Sequence, residues 1–291
     1  MRSWLFVPGD SERKLAKAVD TAADILILDL EDSVAHSRKP AARALVREAI
    51  AGLPKAERGR IAVRINPLTT PDAERDVEAI VAAAPAIIVL PKSNAGRDVA
   101  HLSALLSVAE AQADLAEGGT RIMAIATETA ASLFGLGSYA GASPRLLALA
   151  WGAEDLSTAL AATRTRTADG VLTDAFRLAR TLCLAGAHAA GALPLDTVHT
   201  AIRDEAALRA DCAAAAADGF LGKLAIHPAQ VPIINEAFTP DGAALAHAQR
   251  VVDAFAADPT AGVLSLDGQM VDRPHLTNAE RLLARARAFS A

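Results

Sequence analysis

Short apolar runs recur along the chain at residues 4–7, 25–30, 61–65, 87–90, 122–126, 146–150 and 221–226, with a weaker run at 195–198. Most are continuous rather than alternating, the pattern expected of parallel strands covered on both faces. The segments between them read as amphipathic helices. Residues 11–23 place Leu15, Ala18, Val19 and Ala22 on one stripe, and residues 98–115 repeat Leu and Val at helical spacing. Eight strand candidates alternating with helices predict a (β/α)8 TIM barrel, an α/β fold, in preference to a doubly wound sheet.

The pattern changes at about residue 240. Residues 1–239 are assigned to the catalytic barrel domain, and residues 240–291 to a short C-terminal extension of helix, hairpin and helix. The extension is predicted as a helix at 243–257, a strand-like pair at 262–266 and 270–271, and a final helix at 279–289. It is too small to be an independent domain, so it is expected to pack as a lid on the barrel or on a neighbouring subunit.

Composition narrows the function classes. The chain has 291 residues, 52% of them hydrophobic but only 3% aromatic, so its core must be built from Ala, Leu, Val and Ile. The net charge of −5 offers no basic field for nucleic acid or an anionic membrane surface. No apolar run approaches the roughly 18 residues of a membrane-spanning helix. Met1 and Arg2 lead straight into the first strand, which reads as a chain with no signal peptide. Cys183 and Cys212 lie in Ala-rich helical stretches without metal-ligand spacing, and are read as buried free thiols of a cytoplasmic protein.

Residues just after the strands of such a barrel face its catalytic rim. Here those positions hold Pro8-Gly9, Asp29-Leu30-Glu31-Asp32, Arg64-Ile65-Asn66, Pro91-Lys92, Glu128, Glu154-Asp155 and His227-Pro228. Charges gathered at the ends of apolar strands must be desolvated or paired, which stability alone does not explain. Glu128 and Asp155 follow neighbouring strands, with no His or Cys beside them. Two such carboxylates suit a hard cation that keeps several waters, Mg2+ rather than Zn2+; the plainer alternative is that both cap helices. Arg64 can grip a carboxylate or a developing oxyanion through its planar fork. It can also be a structural partner for the acids of residues 29–32, and the two roles are compatible. Lys92 invites comparison with Schiff-base lysines but reads better as a phosphate or surface contact. His227 is read as packing and capping. Neither a Gly-x-Ser-x-Gly elbow nor a Gly-x-Gly-x-x-Gly loop is present.

Taken in order, these motifs resemble the citrate lyase β-subunit-like group of the HpcH/HpaI aldolase family, which includes citryl-CoA, malyl-CoA and citramalyl-CoA lyases. The resemblance rests on Arg2-Ser3-x-Leu5-Phe6-Val7-Pro8-Gly9, Asp29-Leu30-Glu31-Asp32-Ser33-Val34, Arg64-Ile65-Asn66-Pro67 and Leu90-Pro91-Lys92. It continues through Glu128-Thr129-Ala130, Trp151-Gly152-Ala153-Glu154-Asp155-Leu156, Lys223-x-x-Ile226-His227-Pro228 and Asp267-Gly268-x-Met270-Val271-Asp272.

The resemblance implies a homotrimer or hexamer, with Mg2+ on Glu128 and Asp155 and with substrate contacts from Arg64 and Glu128. It places coenzyme A over Arg2, Pro8, Gly9 and Lys14. Catalytic roles fall to Arg64, Glu31, Asp32 and Asp272, the last reaching a neighbour's site as a proton donor beneath a lid, with its pKa raised. The expected reaction is cleavage or formation of a 3-hydroxyacyl-CoA thioester by retro-Claisen chemistry. Two alternatives stand beside it: an aldolase acting on free pyruvate-like substrates, and a non-catalytic subunit. The motifs do not distinguish CoA from an acyl-carrier-protein thioester, nor one acyl group from another.

Overall fold

A computed structural model describes residues 1–290. Eight parallel strands close into a barrel in the order β1-β2-β3-β4-β5-β6-β7-β8. The strands are β1 Ser3–Pro8, β2 Ile25–Asp29, β3 Ile61–Arg64 and β4 Ile87–Leu90, then β5 Arg121–Ile125, β6 Leu146–Ala150, β7 Leu193–Asp196 and β8 Gly222–Ala225. Closure comes from β1 pairing with β8, Trp4 opposite Leu224. Between the strands run α1 Glu12–Ala18, α2 Lys39–Ala51, α3 Lys55–Arg58, α4 Asp72–Val81, α5 Gly96–Gln112, α6 Ala153–Ala159, α7 Asp174–Ala189 and α8 Glu205–Asp218, with α9 Gln230–Ala237 after the last strand.

The continuous apolar runs have the cause inferred for them. In β2 and β4 every residue is buried, because one set of side chains fills the barrel while the alternate set packs under the helices. The inner set forms one cluster that includes Trp4, Ile25, Ile27, Ala62, Val89, Met123, Ile125 and Leu224. With few aromatics available, only Trp4 contributes a large ring to the buried part of this cluster. The weak seventh strand lies at Leu193–Asp196, two residues earlier than predicted. Pro194 masked it, since a proline inside an apolar run reads against a central strand. Cys183 and Cys212 are both free and buried.

The chain divides into two compact units, Met1–Glu236 and Ala237–Ala291. In the second, α10 Gly242–Ala257 and α11 Arg273–Ser290 enclose a hairpin of β9 Val263–Leu266 and β10 Gln269–Asp272. Its small core holds Val251, Phe255, Val271 and Ala279. The hairpin turns at Asp267 and Gly268, both with positive φ, the conformation an Asp-Gly pair adopts readily. The last helix begins at Arg273, six residues earlier than the predicted start at 279. Pro274 sits in the first turn of this helix, where its missing N–H has no partner to lose. Among the described residues, no helix is long and apolar enough to cross a membrane.

Candidate active site

The C-terminal mouth of the barrel holds a cavity of about 380 Å3, walled by residues that include Phe6, Asp29, Asp32, Arg64, Glu128, Asp155 and Thr197. The strand-end residues Arg64, Asp32, Glu128 and Asp155 therefore meet at one place, as their positions predicted. Glu31 is within the cluster but off the cavity wall. It is buried behind, between Arg64 and Lys92, and its nearest partners are those two cations.

Arg64 ends β3 and crosses to the end of β2. Its Nε and Nη2 donate to the two Asp29 oxygens at 2.7 Å each, and its Nη1 lies 3.0 Å from Glu31 Oε2. The Phe6 ring lies under the guanidinium, 4.7 Å from ring centre to Cζ. Asp29 is held in turn by the backbone N–H groups of Glu31 and Ser33. Burial pushes the Asp29 carboxyl up, but the charge and hydrogen bonds of Arg64 outweigh it, and its pKa falls below the ordinary value. Glu31 goes the other way: burial dominates the opposing pull of Arg64 and Lys92, and its pKa is raised. The structural partnership foreseen for Arg64 is present, and the anchored guanidinium also lines the cavity.

Glu128 stands three residues past β5 and is only 5% exposed. Its Oε2 accepts the backbone N–H of Lys92 at 2.5 Å, so it does not cap a helix. Asp155 lies in the first turn of α6, where its charge complements the helix dipole, but Gly152 is the N-cap and no side chain caps there. Burial first, then the nearby charges of Asp155 and Glu31, lift the Glu128 carboxyl to about 8. Gly152 makes room for this side chain. A Cβ there would stand 2.8 Å from Glu128 Cγ.

Lys92 is the residue the sequence reading undervalued. It is half-buried rather than a surface lysine. Its Nζ lies 2.5 Å from Glu31 Oε1 and 3.5 Å from both Asp32 Oδ2 and Asp155 Oδ1. Five carboxyl groups (Asp29, Glu31, Asp32, Glu128 and Asp155) thus share two cations, Arg64 and Lys92. Charge at the end of β4 was visible in the sequence; its reach across three strands was not.

The coenzyme candidates separate. Pro8 borders the main cavity, and with Lys14, Lys17, Phe6 and His227 it also borders a second hollow of about 310 Å3. Gly9 packs on the end of β2, its N–H donating to Asp29 O at 2.9 Å, and a Cβ would come within 2.5 Å of that oxygen. Arg2 is a correction. It precedes β1, at the opposite end of the strand from Pro8, and its guanidinium pairs with Asp24 at 2.8 Å. Six residues of strand, at about 3.3 Å each, separate it from the mouth.

Asp272 ends β10 in the second unit. Within this chain it receives a hydrogen bond from His275 Nδ1 at 2.5 Å. That bond holds its carboxyl below the usual range, opposite to the rise expected beneath a lid. His227 is exposed and accepts the Ala229 N–H at 3.2 Å, a bond within the turn that precedes α9.

Among the described residues no group of three or more His, Cys, Asp or Glu side chains is placed to hold a metal unaided. Burial is the main cause of the raised Glu128 pKa, and a cation held here would relieve the further part due to Asp155 and Glu31.

A closed parallel barrel with its acids, arginine and lysine gathered at the strand ends defines an enzyme of the (β/α)8 class. The chain belongs to the HpcH/HpaI aldolase/citrate lyase family, whose sequence profile matches residues 2–228. It is 38% identical to the citrate lyase subunit beta-like protein of Mycobacterium tuberculosis, over 97% of this chain and 94% of that one. It is 36% identical to a (3S)-malyl-CoA thioesterase of Cereibacter sphaeroides, over 100% of this chain and 96% of the relative. The crystal structure of the M. tuberculosis protein CitE with magnesium, acetoacetate and coenzyme A superposes with a TM-score of 0.79, at 38% identity and 98% coverage of both chains.

Proposed function

We propose that the protein is a Mg2+-dependent carbon–carbon lyase that cleaves, or forms, a 3-hydroxyacyl-CoA thioester of the citryl, malyl or citramalyl type. The observation that carries this reading is the juxtaposition of Glu128 and Asp155 with the Asp29-anchored Arg64 around one cavity. Bound to Glu128 and Asp155, the ion would supply Lewis acidity toward a substrate hydroxyl and carboxylate.

The chain's own groups do the rest. Arg64, its fork fixed on Asp29, presents guanidinium charge to the oxo-acid half as the carbon–carbon bond breaks. Glu31 and Asp32 keep Arg64 and Lys92 in place. Pro8 and Lys14, bordering the neighbouring hollow, would receive the coenzyme. Asp272 would protonate the acyl-CoA enolate in the site of a neighbouring subunit of a trimer or hexamer, where closure would raise its pKa.

A second reading, hydrolysis of the thioester, is favoured by the relative named as a malyl-CoA thioesterase. One experiment separates the two readings. A panel of 3-hydroxyacyl thioesters, on CoA and on acyl-carrier protein, is scored for oxo acid and for free thiol, with and without Mg2+. Oxo acid without free thiol is expected. Free thiol with intact hydroxy acid would establish the hydrolase. Activity on CoA-free substrates alone would establish an aldolase.

A further inference from the structure

Resting on that reading of the metal pair, we propose that Lys92 is the site's resident counter-cation, holding Glu31, Asp32 and Asp155 together and competing with the divalent ion for Asp155. Two independent features point to it. The first is the side chain, which leaves the end of β4 and reaches acids from two other strands: Glu31 at 2.5 Å, and Asp32 and Asp155 at 3.5 Å each. Without an ammonium here, these acids would face one another with Arg64 as their only cation.

The second feature is the backbone. Lys92 has φ of +51°, a left-handed conformation unusual for a residue with a Cβ. That turn lets its N–H donate to Glu128 Oε2 while its ammonium reaches Glu31. One residue thus grips one carboxylate of the metal pair by its backbone and the other by its ammonium. Unusual backbone of this kind gathers at working sites, where the surroundings enforce it.

The two grips differ in consequence. The backbone bond fixes Glu128 and survives any change of side chain. The ammonium occupies the field of Asp155, so a divalent cation must displace it from that carboxylate. After displacement Lys92 still holds Glu31, which keeps Glu31 from drawing Arg64 away from Asp29. Lys92 is therefore a positioning residue, and its removal should move metal affinity and turnover in opposite directions.

Calorimetric titration with MgCl2 alone, on wild type, Lys92→Met, Lys92→Arg and Glu128→Gln, tests this. Relief from a competing unit charge should tighten Mg2+ binding by Lys92→Met by roughly tenfold, while kcat falls and the Mg2+ activation constant falls with it. Lys92→Arg, which keeps the charge, should bind Mg2+ like wild type. If Lys92→Met fails to fold, Lys92→Gly replaces it, since glycine accepts the left-handed backbone. Weaker or equal Mg2+ binding by the uncharged variant, with wild type binding through Glu128, would overturn the proposal and leave Lys92 an ordinary structural ion pair. Mg2+ binding that is absent in wild type, or unchanged in Glu128→Gln, would instead overturn the assignment of the metal pair on which it rests.

Discussion

Replacing Arg64 by lysine keeps the charge and removes the fork, so it isolates what the guanidinium geometry contributes. In the native site Nε and Nη2 engage both oxygens of Asp29 at 2.7 Å, and Nη1 lies 3.0 Å from Glu31. An ammonium is a point charge on a flexible stem, and can satisfy only part of this arrangement. Asp29 is only 2% exposed, so an oxygen stripped of its donor has little water to turn to. Leaving that oxygen short should cost about 1–3 kcal/mol of stability. In the reaction, the loss of an aimed charge-assisted contact should cost about 2–4 kcal/mol, by analogy with oxyanion donors. That is a fall in kcat/KM on the order of 30- to 1000-fold. The assay is oxo-acid release from a 3-hydroxyacyl-CoA thioester at saturating Mg2+, with Tm measured in parallel. Asp29→Asn serves as the second arm. If Arg64 acts through its anchor on Asp29, the double variant should be little worse than the poorer single one. An Arg64→Lys enzyme within about threefold of wild-type kcat/KM, with only its Tm lowered, would refute the reasoning and make Arg64 a structural partner of Asp29.

Mg2+ affinity should rise with pH, by about tenfold per unit below the Glu128 pKa, because the cation must displace a proton held to about 8; a calorimetric Kd flat across that range would count against Glu128 as a ligand. The same raised pKa sets the sign for the metal-free protein. The unfolded carboxyl titrates near 4.5 and the folded one near 8, so the folded state holds more protons and stability falls as pH rises through that window, which Tm against pH will show. Gly152→Ala puts a methyl group 2.8 Å from Glu128 Cγ and should weaken Mg2+ binding, at a stability cost of about 1–3 kcal/mol; wild-type affinity would mean that Glu128 has another productive position. Asp272→Asn and Glu128→Gln, each inactive alone, should recover activity when mixed under conditions that let subunits exchange. No recovery despite proven exchange would place Asp272 in its own chain's site, and an active Asp272→Asn would remove it from the mechanism.

The barrel could be read from the chain because strands buried on both faces leave an unmistakable mark, an unbroken apolar run, and because the runs at 87–90 and 146–150 coincide with β4 and β6 to the residue. Residue type and position after a strand were likewise enough to nominate Glu128, Asp155 and Arg64, since strand ends in this fold face one mouth. Direction was the part that eluded it. Arg2 and Pro8 belong to one sequence motif, yet they stand at opposite ends of β1, because a strand advances in a line that a motif does not record. Glu31 and Asp32 are adjacent in sequence, but one is buried behind Arg64 and the other opens on the cavity, as successive side chains diverge. Lys92 looked like a surface residue because nothing in its neighbours announces a left-handed backbone or carboxylates from two other strands. Such contacts join residues 60 or more positions apart, and only barrel closure brings them within reach of one ammonium.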